Sequence, residues 1–264
     1  MKGDGHMGTS INSIGQPGSD YVYGALSSGS RINRAADGAA QMAIGQEFDR
    51  QNGGYEVGTN NLKDAKNATN IADGALDGIT SSLQRMHELA LKASNGLMND
   101  EDKQYIQAEV EQLKKGIGDI ANKANFNGIP LLENEDGKVL LINSDTNGTK
   151  RELTPADATL ETLGIKDFDV TGEFDIEKLD NALQAINGGR SNFGAQSNSY
   201  DYAININETA KYNTYAAKSN MMDTEYGEYV SQMKKQGLLE QVQAEMQKKR
   251  QEDAARKTMG IVGN

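Results

Sequence analysis

Leu62, Ala65, Thr69, Ala72, Leu76, Ile79, Leu83, Met86, Ala90 and Ala93 are separated by alternating steps of three and four residues. An α-helix puts such positions on one narrow stripe, whereas a strand would scatter them over both faces. Sustained over more than four heptads, the pattern demands a long helix that buries one seam against other helices. Asn95-Gly96 ends it. Asp100 is a suitable N-cap for the next helix, followed by carboxylates at Glu101 and Asp102 that favour a helix start. There Ile106, Val110, Leu113, Ile117, Ile120 and Ala124 continue the same spacing. Two such helices joined by a short loop predict an antiparallel hairpin.

Composition agrees with seams rather than with a broad core. Hydrophobic residues make up 36% and aromatic residues 6% of the 264 residues, and there is no Trp. The only prolines, Pro17, Pro130 and Pro155, leave long stretches without a helix breaker. The chain carries a formal charge of −11, which disfavours nucleic acid as a partner, because binding phosphates needs basic surface. The absence of Cys excludes disulfides and thiolate metal sites. No apolar run is long enough for a membrane span. Residues 1–20 are Gly- and Ser-rich without an apolar stretch, so export would need a route that cleaves no signal peptide.

Along the chain, residues 1–25 are expected to be flexible, with six glycines between Gly3 and Gly24. A short helix is predicted over Ala35–Asp49, broken by Asn52-Gly53-Gly54. Asn127-Gly128-Ile129-Pro130 stops the second seam helix. Lys138–Asn143 and Gly148–Leu153 flank a turn ending in Asn147-Gly148, a β-hairpin signature. Helical pattern returns at Glu173–Asn187, and Asn187-Gly188-Gly189 is a candidate interruption. A further seam runs through Leu179, Leu183, Ile186, Phe193, Tyr200 and Ile204, with Arg190, Ser197 and Asn207 as polar intruders. Tyr226, Val230, Met233, Gly237, Val242 and Met246 share one face of a last helix, whose basic end (Lys248-Lys249-Arg250, Arg256-Lys257) complements a helix C-terminus. The expected fold is mainly α: an elongated antiparallel helical bundle, a coiled-coil-like rod, with a small β-hairpin insert. Its expected parts are a flexible segment 1–25, helical rod segments 26–132 and 176–222, a hairpin insert 133–175, and a terminal helix and tail 223–264.

No catalytic constellation is visible, so neither an enzyme nor a cofactor is expected. His6 and His87 are the only histidines, and solvated surface positions account for both. Asn134-Glu135-Asp136-Gly137 lacks the regular ligand series and distal Glu of a calcium loop. The basic cluster near the end is most simply a solvated helix end.

Leu26–Ala40 reads LSSGSRINRAADGAA, and Asn70–Ala90 reads NIADGALDGITSSLQRMHELA. Both resemble the corresponding segments of bacterial flagellins. Gln107-Ala108-Glu109, Phe126-Asn127-Gly128 with Leu131-Leu132, Leu179–Leu183 with Arg190 and Phe193-Gly194-Ala195, and Met222–Tyr226 follow in the family's order. The likeness covers roughly residues 26–132 and 176–235. It implies a non-enzymatic, secreted, extracellular structural subunit of the bacterial flagellum, exported unfolded by the flagellar machinery with a chaperone and self-associating into a filament. It also implies an outer domain reduced to the hairpin. Gln84, Arg85, Glu88, Leu89 and Glu109 match the surface that in flagellins packs on a neighbouring subunit and, in many, is bound by the flagellin-sensing Toll-like receptor. His87 stands where the family usually has Arg. The family's long N-terminal helix and its Leu-rich C-terminus are replaced here by a shorter Gly-rich start and KKRQEDAARKTMGIVGN. These departures keep open two alternatives to a filament subunit: a hook-associated junction protein and a non-polymerising, flagellin-like secreted binding protein.

Overall fold

The computed structural model describes residues 17–134 and 136–262 of the chain. Five helices account for most of it: α1 (Pro17–Ser28), α2 (Ala35–Ala93), α3 (Asp100–Lys123), α4 (Glu177–Met222) and α5 (Tyr226–Val262). Two antiparallel two-stranded hairpins lie between α3 and α4: β1 (Asn125–Phe126) with β2 (Ile129–Pro130), and β3 (Leu140–Asn143) with β4 (Lys150–Leu153). This is the mainly α architecture with a β-hairpin insert that the spacings predict. The chain divides into two compact units, Arg50–Thr214 and the described parts of Met1–Asp49 with Tyr215–Asn264.

In the unit Arg50–Thr214, every α2 seam residue from Leu62 to Ala93 is buried. Helix α3 is antiparallel to α2: Arg85 bonds Glu109, and seven residues earlier Gly78 faces Ile120. Of the predicted α3 seam, Ile106, Val110, Ile117 and Ala124 are buried, and Leu113 and Ile120 are half-buried against the same core. Helix α4 also runs antiparallel to α2, with Lys66–Asp201 at 2.6 Å and His87 Nε2 3.3 Å from Asp180 Oδ1. Its residues Leu179, Ala182, Ile186, Phe193, Tyr200, Ala203 and Ile204 complete the core.

Several expectations are corrected. The cap of α3 is Asn99, not Asp100: its side chain accepts from Asp102 N at 2.7 Å, leaving Asp100, Glu101 and Asp102 in the first turn. Asn187-Gly188-Gly189 does not interrupt α4. Residues 17–25, expected to be flexible, lie in α1, and residues 1–16, including His6, lie outside the described residues, as does Glu135.

Asn52-Gly53-Gly54 does not break α2 either. Gly54 and, one turn on, Gly58 answer a packing need instead, whereas Gly53 faces open space. The turn joining β3 to β4 lies against α2, where a Cβ on Gly54 would sit 2.9 Å from Thr146 Cα, and one on Gly58 2.6 Å from the Ser144 carbonyl carbon. A helical glycine costs about 1 kcal/mol relative to alanine, a modest cost beside the contact it permits. The β3–β4 pair has the register Leu140↔Leu153 and Asn143↔Lys150. Its turn is held by Asn61, whose amide donates to Asn143 O at 3.0 Å, and by Asn207, whose amide donates to Ser144 O at 2.6 Å. Tyr200 donates to Glu152 O at 2.7 Å, and burial pushes its phenol up to about 12.

In the other unit, α1 and α5 pack antiparallel through Val22, Ala25 and Tyr229, with Leu26 and Met233 beside them. Tyr229, rather than the predicted Tyr226, is the buried α5 aromatic, and Tyr226 is 66% exposed. Tyr21 and Tyr229 share a 3.1 Å hydroxyl hydrogen bond.

Candidate interaction surface on helices α2 and α3

The α2–α3 pairing determines what the Arg85 segment can do. Heptad packing turns Leu83, Met86 and Ala90 inward and leaves Gln84, Arg85 and Glu88 exposed. Arg85 Nε donates to Glu109 Oε1 at 2.8 Å across to α3, and its Nη1 donates to Glu88 Oε2 at 3.1 Å one turn along α2. The bonded Glu109 carboxylate, and after it Glu88, raise the Arg85 guanidinium above its ordinary value. With side chains 50%, 68% and 43% exposed, these groups form a solvated network that orients the guanidinium fork and adds little to stability.

Leu89 does not join them. It is 3% exposed and part of the core, so it supports the surface from beneath. A strict three-four count places Leu89 beside the seam, but α2 is covered by both α3 and α4. The buried stripe is therefore wider than that of a two-helix coil. His87 is half-buried and turned towards α4, so it stands apart from Arg85.

Tyr105 was absent from the sequence expectation. It is 69% exposed, four residues before Glu109 on α3, and its hydroxyl donates to Glu101 Oε1 at 3.2 Å. Its position was readable as an aromatic residue off the α3 seam, one turn from Glu109. Arg85, Glu88, Tyr105 and Glu109 together offer a planar donor fork, carboxylates and one aromatic ring: protein-binding chemistry. Among the described residues, no group of three or more His, Asp or Glu side chains is placed to hold a metal ion. No described helix is long and apolar enough to cross a membrane.

The family model for the bacterial flagellin N-terminal helical region matches residues 10–136. A flagellin of Halalkalibacterium halodurans is 31% identical over 227 residues, covering 84% of each chain. The crystal structure of Bacillus cereus flagellin is similar at 36% identity with a TM-score of 0.51, over 56% of this chain and 89% of that one. A flagellar hook-associated protein from Vibrio parahaemolyticus shares the fold alone, at 15% identity and a TM-score of 0.59, over 71% of this chain and 100% of that one. On the identity and coverage of the first relative, the chain belongs to the bacterial flagellin family, whose members are structural proteins rather than enzymes.

Proposed function

We propose that the chain is a subunit of the flagellar filament, exported by the flagellar machinery with a chaperone and assembling outside the cell by self-association of its helices. One observation carries the self-association: α5 presents Leu238, Leu239, Val242 and Met246 at 51–63% exposure. Leu239, Val242 and Met246 keep three-four spacing, so a neighbouring helix could bury them as a seam. Fully burying such a side chain is worth roughly 1.5–3 kcal/mol, so covering the exposed half of each along the seam favours association. The double variant Leu239→Asp/Val242→Asp is expected to lose sedimentable assemblies while keeping the wild-type melting curve. Undiminished assembly would remove α5 from the account.

The likeness in fold to a hook-associated protein supports a second reading, that of a junction subunit. Such a subunit would add to existing filament ends and form no long filament alone.

The Arg85 surface is also proposed to bind the flagellin-sensing Toll-like receptor. The fork of Arg85 is already oriented by Glu109 and Glu88, so little freedom is lost on binding. Exposed Tyr105 supplies the apolar anchor that buried Leu89 does not. Arg85→Ala is expected to weaken binding to the receptor ectodomain about tenfold, roughly 1.4 kcal/mol, with helicity unchanged. Lys92→Ala, two turns along α2, should have little effect. Equal binding by wild type and Arg85→Ala would place the contact elsewhere, and no binding by wild type would show the trait lost.

A further inference from the structure

Helix α4 ends at Met222 and α5 begins at Tyr226, yet Asp223-Thr224-Glu225 contains neither Pro nor Gly. Asp and Thr are tolerated at helix ends but do not force a helix to stop. Between the bonds Asp223 N→Ser219 O and Tyr229 N→Glu225 O, an unbroken helix would need five more, from the amides of Thr224, Glu225, Tyr226, Gly227 and Glu228 to the carbonyls of Asn220, Met221, Met222, Asp223 and Thr224. The segment after α1 engages one partner in each of the first three. Thr224 N donates instead to Gly29 O at 3.0 Å. The Met221 carbonyl accepts from the Arg31 guanidinium at 2.5 Å. The Met222 carbonyl accepts from Arg31 N at 2.6 Å and from the Ser30 hydroxyl at 3.2 Å. Ser30 and Asp223 form an antiparallel bridge, and the Thr224 hydroxyl donates to Ala25 O at 3.1 Å. Gly29 sits at φ 70°, the left-handed conformation that turns the chain out of α1 and aims these groups at the break.

We propose that the α4–α5 break is a docking-dependent hinge: residues Gly29–Arg31 hold it open, and without them the chain closes into one continuous helix. The segment acts as an intramolecular ligand that prefers the broken state, so its presence sets the population of the two states. A chain whose first thirty or so residues are undocked then carries a C-terminal helix that runs straight through Thr224.

The test is nuclear magnetic resonance on the full-length monomer, reading Cα shifts and amide exchange for wild type, Ser30→Ala, Arg31→Ala and Gly29→Val. In wild type, Asp223–Glu225 give non-helical shifts. Across the series, these shifts are expected to move into the range of the flanking helices, and exchange at Glu225 and Tyr226 should slow on the order of tenfold as the helical bonds form. Adding Thr224→Pro to Gly29→Val should abolish that gain. Non-helical shifts at Asp223–Glu225 in all variants would overturn the proposal. Loss of helix on both sides of the break without gain at its centre would overturn it equally, because the segment would then be stabilising the helices rather than interrupting them.

Discussion

Leu83→Asp is expected to abolish the cooperative melt of the unit Arg50–Thr214. Leu83 has no exposed surface and sits mid-seam on α2, among core residues supplied by α2, α3 and α4. Truncating a buried leucine costs about 2–5 kcal/mol through lost transfer energy and the cavity left behind. An unpaired carboxylate there adds a further penalty of several kcal/mol, or must take up a proton to remain. Against a whole-domain stability of about 5–15 kcal/mol, the sum removes most or all of it. Thermal circular dichroism of wild type and variant measures this, and a cooperative transition within a few degrees of wild type would contradict the seam as the core.

A second large effect is expected at Gly58, where its sign reveals what the glycines of α2 do. In an open helix, Gly→Ala stabilises by about 1 kcal/mol. That should hold at Gly74, where an added Cβ meets nothing within 4 Å, and Gly74→Ala should raise the melting temperature by about 2–4 °C. At Gly58 the added Cβ would instead lie 2.6 Å from the Ser144 carbonyl carbon and 2.8 Å from Asp145 N, both backbone atoms. Backbone cannot step aside as a flexible side chain can, and overpacking of this kind costs about 1–3 kcal/mol. Gly58→Ala is therefore expected to destabilise by about 2 kcal/mol. It should also free the β3–β4 turn, seen as faster amide exchange at Ser144, whose N–H donates to the Thr149 carbonyl, and at Thr149, whose N–H donates to the Asp145 carboxylate. Equal shifts of the same sign at Gly58 and Gly74 would refute the close approach.

These two residues also mark what the sequence can reveal. Leu83 was legible because period and burial coincide: its neighbours at three and four residues are apolar, and that pattern is local. Gly58 was not, since the atoms that exclude a side chain there lie more than eighty residues away, and Gly53-Gly54 alone resembles a breaker. The same limit governs the polar intruders on α4. Asn207 is buried and holds the hairpin turn at Ser144. Arg190 bridges Asp73 at 2.9 Å and Asp77 at 2.8 Å on α2. Both look like flaws in a seam until their partners are brought beside them. Of the five residues singled out for the Arg85 surface, Gln84, Arg85 and Glu88 are exposed and Glu109 is half-buried. Leu89 is core, because a third helix widens the buried stripe beyond the heptad count. The α4–α5 break was invisible for a related reason: the residues that break the helix are not in it.

A filament subunit of this kind is expected to grow filaments from its own purified chain. Negative-stain electron microscopy of the purified, concentrated full-length protein, seeded with short filament fragments of the same chain, tests it most directly. Long filaments of uniform diameter are expected to grow from the seeds and to be absent from the Leu239→Asp/Val242→Asp variant. Dispersed particles under all conditions, or additions that stop at the seed ends, would contradict it.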